Sequence, residues 1–337
     1  MMKKNLIAAA ALLAVAGAAN AQMTIYGLID VSYGKSLVSE ILLGETKAQF
    51  HSGGDNGSSE GNSTTRLGFK GSTDLGGGMK ANFKLETSGI QSSGEKNGAL
   101  FGRQMWAGFS GNFGEVRLGR QDSVPFQIMG DFDFNGQSNG VSAGAYSGVG
   151  VFNRRRQSRS LQYMTPNMGG LNAQFGYVPK GNMEENEKGV FSAGVKYAAG
   201  PLAVGASVQS KPNSASDNFS SVAASYDFGV AKIMAGYANG GKLASGCALF
   251  DGCNQNSGKG YTLGITAPIA GWTVGAIYAN NNDNNAKIKS TEFFVNKEIF
   301  KNTYGYFEAG NWKGIVDAVE GTKKTGNAYA IGVIFVF

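Results

Sequence analysis

Polar and apolar side chains alternate along most of this chain, and no other feature restricts its fold as strongly. One stretch places Leu171, Ala173, Phe175 and Tyr177 on one parity and Asn172, Gln174 and Gly176 on the other. A period of two is typical of a β-strand with two different faces. Glycine also accounts for 52 of the 337 residues, about twice its usual share of roughly 7%, which disfavours helices. The pattern therefore predicts an all-β fold.

Residues 1–21 have the composition of a secretory signal peptide. Lys3 and Lys4 precede an apolar run, and small residues at Ala19 and Ala21 suit cleavage before Gln22. The run is too short for a membrane-spanning helix, which needs about 20 apolar residues. The sequence thus predicts an exported chain that begins at Gln22.

After Gln22, no apolar run is long enough for a membrane-spanning helix. A membrane protein built from such a sequence must be a closed β-barrel, in which every backbone group pairs between strands. Because lipid-facing and lumen-facing residues alternate in a barrel, its average hydropathy stays near neutral. The mean hydropathy of -0.17 is therefore compatible with a membrane location.

Two kinds of connection separate the predicted strands. Short turns such as Asp74 to Gly78 and Gly111 to Gly114 alternate with long polar loops such as Asp122 to Asn153. This arrangement is typical of outer-membrane barrels, with turns in the periplasm and loops outside. Counting the segments predicts a transmembrane antiparallel β-barrel of about 16 strands, each of about ten residues, in one domain over residues 22–337. A barrel of this size encloses a water-filled channel.

The last predicted strand ends on an aromatic carboxyl terminus. Tyr329, Ile331, Val333, Phe335 and Phe337 share one parity, which a barrel would turn toward lipid. Taken alone, the segment is also compatible with an ordinary buried strand. Tyrosines recur near other predicted strand ends, where the aromatic girdles of barrels lie.

Several short motifs recur along the chain in a characteristic order: Ile25-Tyr-Gly-Leu-Ile-Asp30, Thr65-Arg-Leu-Gly-Phe-Lys-Gly71, Gly111-Asn-Phe-Gly-Glu-Val-Arg-Leu-Gly-Arg120, Tyr163-Met-Thr-Pro166, Tyr226-Asp-Phe-Gly229 and the terminal Phe337. In these motifs the sequence resembles the trimeric general porins of β-proteobacteria and Neisseria, and most closely their anion-selective members. The resemblance implies a barrel whose long third external loop, here Asp122 to Asn153, folds inward and narrows the channel.

The same resemblance implies partners and a location. It implies a homotrimer in the outer membrane of a Gram-negative cell, surrounded by lipid and lipopolysaccharide. It also implies that the outer-membrane assembly machinery reads the terminal strand, including Tyr329, Phe335 and Phe337.

Ions in such a channel respond to the charges that line it, and arginine or lysine rings favour anions. Alternation places the following basic residues on the inward parity: Arg66, Lys70, Lys84, Arg117 and Arg156. The resemblance implies an arginine cluster at the constriction, which matches Arg66, Arg103 and Arg156. Arg103 shares the outward parity of Met105, so an inward position for Arg103 requires a bulge or a local twist.

The run Arg154-Arg155-Arg156 is the densest charge in the chain. Uninterrupted alternation puts Arg154 and Arg156 on the inward parity and Arg155 on the outward one. The cluster is alternatively a solvated strand end or a contact with lipid phosphates. Asp131 and Asp133 are candidates to face the arginines from the inward loop, although acidic residues are also common in surface loops.

Catalytic patterns are missing from the sequence. The only histidine, His51, is expected to be exposed in a Ser/Gly-rich loop, whereas a catalytic triad needs a base beside its nucleophile. No Cys/His metal set and no phosphate-binding glycine loop occurs, so we expect neither an enzyme nor a cofactor.

The two cysteines, Cys247 and Cys253, lie in one predicted loop. In an oxidising compartment they are expected to form a disulfide, and the alternative is two free thiols.

The sequence therefore predicts an outer-membrane porin for passive diffusion of small hydrophilic solutes and ions, with a preference for anions. The alternative is a barrel that acts mainly as an adhesin or phage receptor with little transport. The net charge of +6 gives no indication of a nucleic-acid partner.

Overall fold

The computed structural model describes residues 22–42, 44, 47–144, 155–181, 187–214, 216–240, 259–283, 286–315 and 323–337. Four of the sequence predictions fall outside these ranges. They concern the signal peptide at residues 1–21, Arg154, Cys247 and Cys253.

Seventeen strands of the described residues form a single antiparallel sheet. In chain order they are β1 (Gln22–Lys35), β2 (Gln49–Ser52), β3 (Arg66–Gly76), β4 (Met79–Ser88), β5 (Gln104–Gly111), β6 (Gly114–Asp122), β7 (Arg156–Met164), β8 (Leu171–Val178), β9 (Val190–Ala199), β10 (Leu202–Gln209), β11 (Phe219–Asp227), β12 (Lys232–Asn239), β13 (Lys259–Ile269), β14 (Trp272–Asp283), β15 (Ala286–Phe300), β16 (Thr303–Ile315) and β17 (Lys323–Val336).

The sheet closes on itself through β1. One edge of β1 pairs with β17, and the other edge pairs with β3 along residues 22–28 and with the short β2 along residues 31–34. Since β2 and β3 share one position beside β1, sixteen strands form the closed ring. This confirms the predicted antiparallel barrel and its strand number.

The two faces of the barrel differ as the alternation predicted. On β1, the outward side chains of Ile29 and Val31 are 44% and 53% exposed, whereas Asp30 and Ser32 on the inner face are 0% and 5% exposed. Along β17 and at the residue after it, the aromatic and aliphatic side chains of one parity are exposed: Tyr329, Ile331, Val333, Phe335 and Phe337. The terminal strand is therefore an outward-facing strand and not a buried one.

Short helices occur only in the connections of the described chain. They are α1 (Leu37–Leu42), α2 (Asp55–Ser58), α3 (Val124–Met129) and a 3₁₀ turn (Gly130–Phe132). Ser123 caps α3 because its Oγ accepts a hydrogen bond from the backbone N–H of Phe126 at 3.2 Å. Among the described residues, no helix is long and apolar enough to cross a membrane.

The connection between β6 and β7 packs against the inner face of the sheet. Val124 and Ile128 on α3 are fully buried, and they lie over Gly194 on β9. A Cβ atom at Gly194 would meet Ile128 Cγ1 at 2.6 Å and Val124 Cγ1 at 3.0 Å. Gly205 on β10 makes the same room for Phe132. Glycine is thus needed here for close approach between helix and sheet.

We expect Gly194→Ala to destabilise the folded barrel by about 1–3 kcal/mol, because the added methyl group overpacks the contact with Ile128. The midpoint of urea unfolding, followed by the mobility of unheated protein on SDS gels, measures the change. Gly305→Ala on β16 is the matched control, since its Cβ would meet Ile299 at 3.4 Å, an ordinary contact. Equal losses of stability in the two variants would contradict this packing of α3.

Candidate functional site

Basic side chains line the inner face of β3 and β4. Cross-strand partners share a face, and the register pairs Lys70 with Lys84 and Glu86 with Gln104. Gln104 is 6% exposed, whereas its outward neighbour Met105 is 57% exposed. Lys70, Lys84 and Glu86 therefore face the interior, as alternation predicted for both lysines.

Glu86 lies at the centre of this group. Its carboxylate accepts hydrogen bonds from Tyr26 Oη at 2.6 Å and from Arg103 Nε at 2.5 Å, and Lys84 Nζ lies 3.3 Å away. Arg66 interacts electrostatically with both Arg103 and Glu86. The interior thus brings Arg66, Arg103 and Lys84 together around one carboxylate.

Arg103 reaches the interior although its parity predicted the outward face. Strand β5 begins at Gln104, so alternation does not apply to Arg103. Its backbone N–H donates to the carbonyl of Glu86 at 3.2 Å, and its side chain turns inward to the Glu86 carboxylate. The local twist that an inward position required is therefore present.

A bulge exchanges the two faces at the start of β7. Gly119 on β6 pairs with Ser160 on β7, and the next pair is Gln121 with Gln157. Between these two pairs, β7 therefore contains one residue more than β6. The extra residue on β7 is accommodated at Arg159, which has a φ of 53°. Uninterrupted alternation is therefore the wrong description of this strand.

Arg155 directly precedes β7, and both Arg155 and Arg156 interact electrostatically with Arg103. Arg155 interacts electrostatically with Arg66, Arg103 and Glu86, and its guanidinium lies 5.3 Å from the ring centroid of Phe126. Burial, followed by repulsion from Arg103, lowers the pKa of Arg155 to about 10, which keeps it charged at neutral pH. Sequence analysis missed this residue because it assumed an unbroken strand.

Two further predicted basic residues have partners of their own. Arg156 Nε lies 3.2 Å from Asp122 Oδ1. Arg117 pairs with Glu115 at 2.6 Å and stacks on Trp106, with 4.2 Å between its guanidinium carbon and the ring centroid. Arg117 is near the short turn between β5 and β6, and no contact joins it to Glu86 within the described chain.

Another part of the wall carries carboxylates that bind the connection between β6 and β7. Glu308 on β16 accepts hydrogen bonds from Asn135 Nδ2 at 3.0 Å and from Ser138 Oγ at 2.9 Å. Glu292 on β15 accepts from the same Asn135 amide at 2.6 Å and from the backbone N–H of Ala143 at 2.9 Å. These acidic groups hold the connection against β15 and β16.

Asp30 holds the connection between β2 and β3 in the same way. Its Oδ2 accepts from the backbone N–H groups of Asn62 and Ser63 at 2.9 and 2.6 Å, and its Oδ1 accepts from Tyr306 Oη at 2.8 Å. This connection is also hydrogen-bonded to the connection between β6 and β7, because the N–H of Gly140 donates to the carbonyl of Gly61 at 2.9 Å. Two connections therefore lie inside the barrel as one hydrogen-bonded unit.

The predicted opposing acids are placed elsewhere. Asp131 forms an ion pair with Lys196 on β9. Asp133 accepts a hydrogen bond from Ser142 Oγ at 3.1 Å, and burial raises the pKa of Asp133. No ion pair joins either residue to Arg66, Arg103 or Arg156 in the part of the chain that the structure describes.

His51 differs from its expected exposure. It lies in β2, is 8% exposed, and sits 3.7 Å from Asp55 and 3.8 Å from Glu60. Within the described ranges, no group of three or more Cys, His, Asp or Glu side chains is arranged to hold a metal ion.

Comparison with known proteins agrees with the fold. The sequence profile described as Gram-negative porin matches residues 8–311. The outer membrane porin protein 32 of Delftia acidovorans is 34% identical over 295 residues, which cover 80% of this chain and 77% of that protein. An outer membrane porin protein of Bordetella pertussis is 30% identical over 328 residues, covering 80% of this chain and 82% of the relative.

A solved structure shares the architecture. The anion-selective porin from Comamonas acidovorans superposes with a TM-score of 0.73 at 23% sequence identity, covering 94% of this chain and 100% of that one. The profile match and the two relatives extend over most of the chain, and the closed sixteen-stranded ring supplies the expected architecture. The chain therefore belongs to the Gram-negative porin family, as a channel-forming porin of the outer membrane.

Proposed function

We propose that this porin passes small hydrophilic solutes and ions passively and prefers anions. One observation carries the proposal: inner-facing cations cluster on the wall from β3 to β7, whereas the acids on β1, β15 and β16 are occupied by hydrogen bonds to the two connections. The carboxylates on β1, β15 and β16 are thus bound to the two connections, while the basic groups remain along the channel.

The physical basis is electrostatic. Charges beside a narrow aqueous path with low-dielectric walls act strongly on passing ions, and arginine or lysine attracts anions. The connection between β6 and β7 lies on the inner face of β8 to β10 and is bound to β15 and β16, so we propose that it narrows the channel. Its Phe126 contacts Arg155, which puts the narrow part beside the basic wall.

The residues have graded roles in this proposal. Arg66, Arg103 and Arg155 form the main selectivity group, and Lys84 extends it toward the periplasm. Arg117 and Arg156 contribute less, because each forms an ion pair with a different carboxylate, whereas Arg103 and Lys84 share the single carboxylate of Glu86. Arg154 precedes Arg155 in the sequence and is proposed to add to the charge of this group.

Assembly and export complete the proposal. Residues 1–21 direct export and are removed, leaving a domain of residues 22–337 that assembles as a homotrimer among lipids and lipopolysaccharide. Tyr329, Phe335 and Phe337 serve the outer-membrane assembly machinery, and a Cys247–Cys253 disulfide closes an external loop. The chain acts without a cofactor and has no enzymatic role.

The competing function is that of an adhesin or phage receptor with little transport. It predicts a folded barrel that inserts into a bilayer without stepwise conductance. The described interior favours transport, because charged side chains line it on the basic wall. Single-insertion conductance of the purified protein in a planar bilayer separates these two functions.

We expect the double substitution Arg66→Gln and Arg103→Gln to lower the chloride-to-potassium permeability ratio about tenfold, because two inward cations are lost. The zero-current potential under a KCl gradient measures this ratio. Lys80→Gln with Lys301→Gln removes the same total charge from the second residue of β4 and from the turn between β15 and β16, and it is expected to change the ratio about twofold or less. An unchanged ratio in the arginine variant would contradict the selectivity group.

The bulge in β7 generates a second comparison. Arg155→Gln should reduce anion preference roughly threefold more than Arg156→Gln, because Arg155 interacts with both Arg66 and Glu86, whereas Arg156 forms an ion pair with Asp122. Both variants remove one positive charge from adjacent positions, so each is the control for the other. A larger effect of Arg156→Gln in the same zero-current measurement would show that Arg156 contributes more to selectivity than Arg155, as uninterrupted alternation predicted.

A further inference from the structure

Glu86 is a carboxylate placed among the cations that the channel would offer to an anion. Its side chain is nearly buried, at 4% exposure, and it contacts Arg103 Nε at 2.5 Å and Lys84 Nζ at 3.3 Å. A channel that only needed to attract anions would gain nothing from a negative charge at this position. The contacts of Glu86 therefore call for a role of their own.

Tyr26 fixes the position of this carboxylate. The phenol Oη donates to Glu86 Oε2 at 2.6 Å, and the ring is contacted by two lysines, with Lys70 Nζ at 5.3 Å and Lys84 Nζ at 5.6 Å from its centroid. Cations at this distance are attracted to the face of an aromatic ring. Tyr26 thus holds Glu86 and both lysines in one arrangement on the inner wall.

A fixed negative charge changes how long an anion stays. Conduction requires a site that attracts the ion enough to enter and weakly enough to leave. Two unit charges about 4 Å apart interact by about 1 kcal/mol in water and about 4 kcal/mol near a protein surface, so several unopposed cations would hold an anion for long. Glu86 opposes the attraction of Arg103 and Lys84 at the place where they meet Arg66.

We propose that Glu86, oriented by Tyr26, is a specificity-determining residue that shortens the residence of anions at the basic wall. It keeps the channel conducting at high anion concentration and limits block by multivalent anions such as inorganic phosphate. The inference rests on the proposed anion preference, which it deepens. Tyr26 is a positioning residue in this account, because it acts through Glu86.

The test is the dependence of single-channel conductance on KCl concentration. Glu86→Gln is expected to lower the half-saturating KCl concentration about tenfold, which corresponds to ~1.4 kcal/mol tighter anion binding. Inorganic phosphate should block the chloride current of this variant at a correspondingly lower concentration. The chloride-to-potassium permeability ratio should rise at the same time.

Two control variants separate the charge of Glu86 from its other properties. Glu86→Asp keeps the charge and is expected to stay within about twofold of the parent half-saturation. Glu115→Gln removes another carboxylate that binds an arginine, Arg117, at 2.6 Å, but one that has no contact with Glu86 in the described chain. It too is expected to shift the half-saturation about twofold or less.

If Glu86→Gln alone does not assemble, a double-mutant comparison provides the same test. In the Lys84→Gln background, Glu86→Gln removes one carboxylate together with one cation, so that no unpaired charge is added. The half-saturating concentration should again fall about tenfold relative to Lys84→Gln alone. Unchanged half-saturation in both backgrounds would overturn the role of Glu86.

The outcome also distinguishes this inference from the function on which it rests. A parent channel without anion preference contradicts the proposed function itself. A parent that prefers anions, together with a Glu86→Gln variant that saturates and is blocked like the parent, contradicts only the role of Glu86.

Discussion

The hydrogen bonds between β1 and β17 are the constraint on which the rest of the structure depends. They end in a reciprocal pair, in which Gly27 N–H donates to the Phe337 carbonyl at 2.9 Å and Phe337 N–H donates to the Gly27 carbonyl at 3.1 Å. Closure leaves no strand edge unpaired, which a lipid environment requires. It also separates an outward apolar face from an inward polar one. The polar residues that alternate with apolar ones in the sequence therefore line the interior.

Inside the ring, acidic and basic groups have different tasks. Asp30, Glu292 and Glu308 use their oxygens to accept hydrogen bonds from the connections, whereas the basic residues on the wall from β3 to β7 gather around Glu86. The chain carries 30 Lys and Arg against 24 Asp and Glu, a modest excess. The strength of the field at one position in the channel therefore depends on where the acids are placed and not on the total charge.

Sequence reasoning succeeded where the strands are regular. Period-two alternation predicted the outward face of β17 and the inward positions of Lys70 and Lys84, because regular pairing fixes side-chain direction. It failed at Arg155 and at Arg103, because each residue precedes the strand it introduces, and the bulge at Arg159 also shifts the register of β7. The run of three consecutive arginines was a signal of irregular pairing that alternation alone does not interpret. Glu86 was missed because one inward acid among many cations has no sequence motif.

The loop contacts could not be predicted for a different reason, and they connect packing to charge. Gly176, Gly194 and Gly205 lie on three adjacent strands, β8 to β10, and each makes room for a side chain of α3 or of the 3₁₀ turn. Because these glycines have no side chains, Val124 and Ile128 can pack α3 closely against the sheet. The packed helix places the ring of Phe126 in contact with Arg155. The position of one selectivity-group cation thus depends on glycines that bear no charge. An electrostatic property of this channel is set partly by steric contacts on the wall beyond the cations themselves.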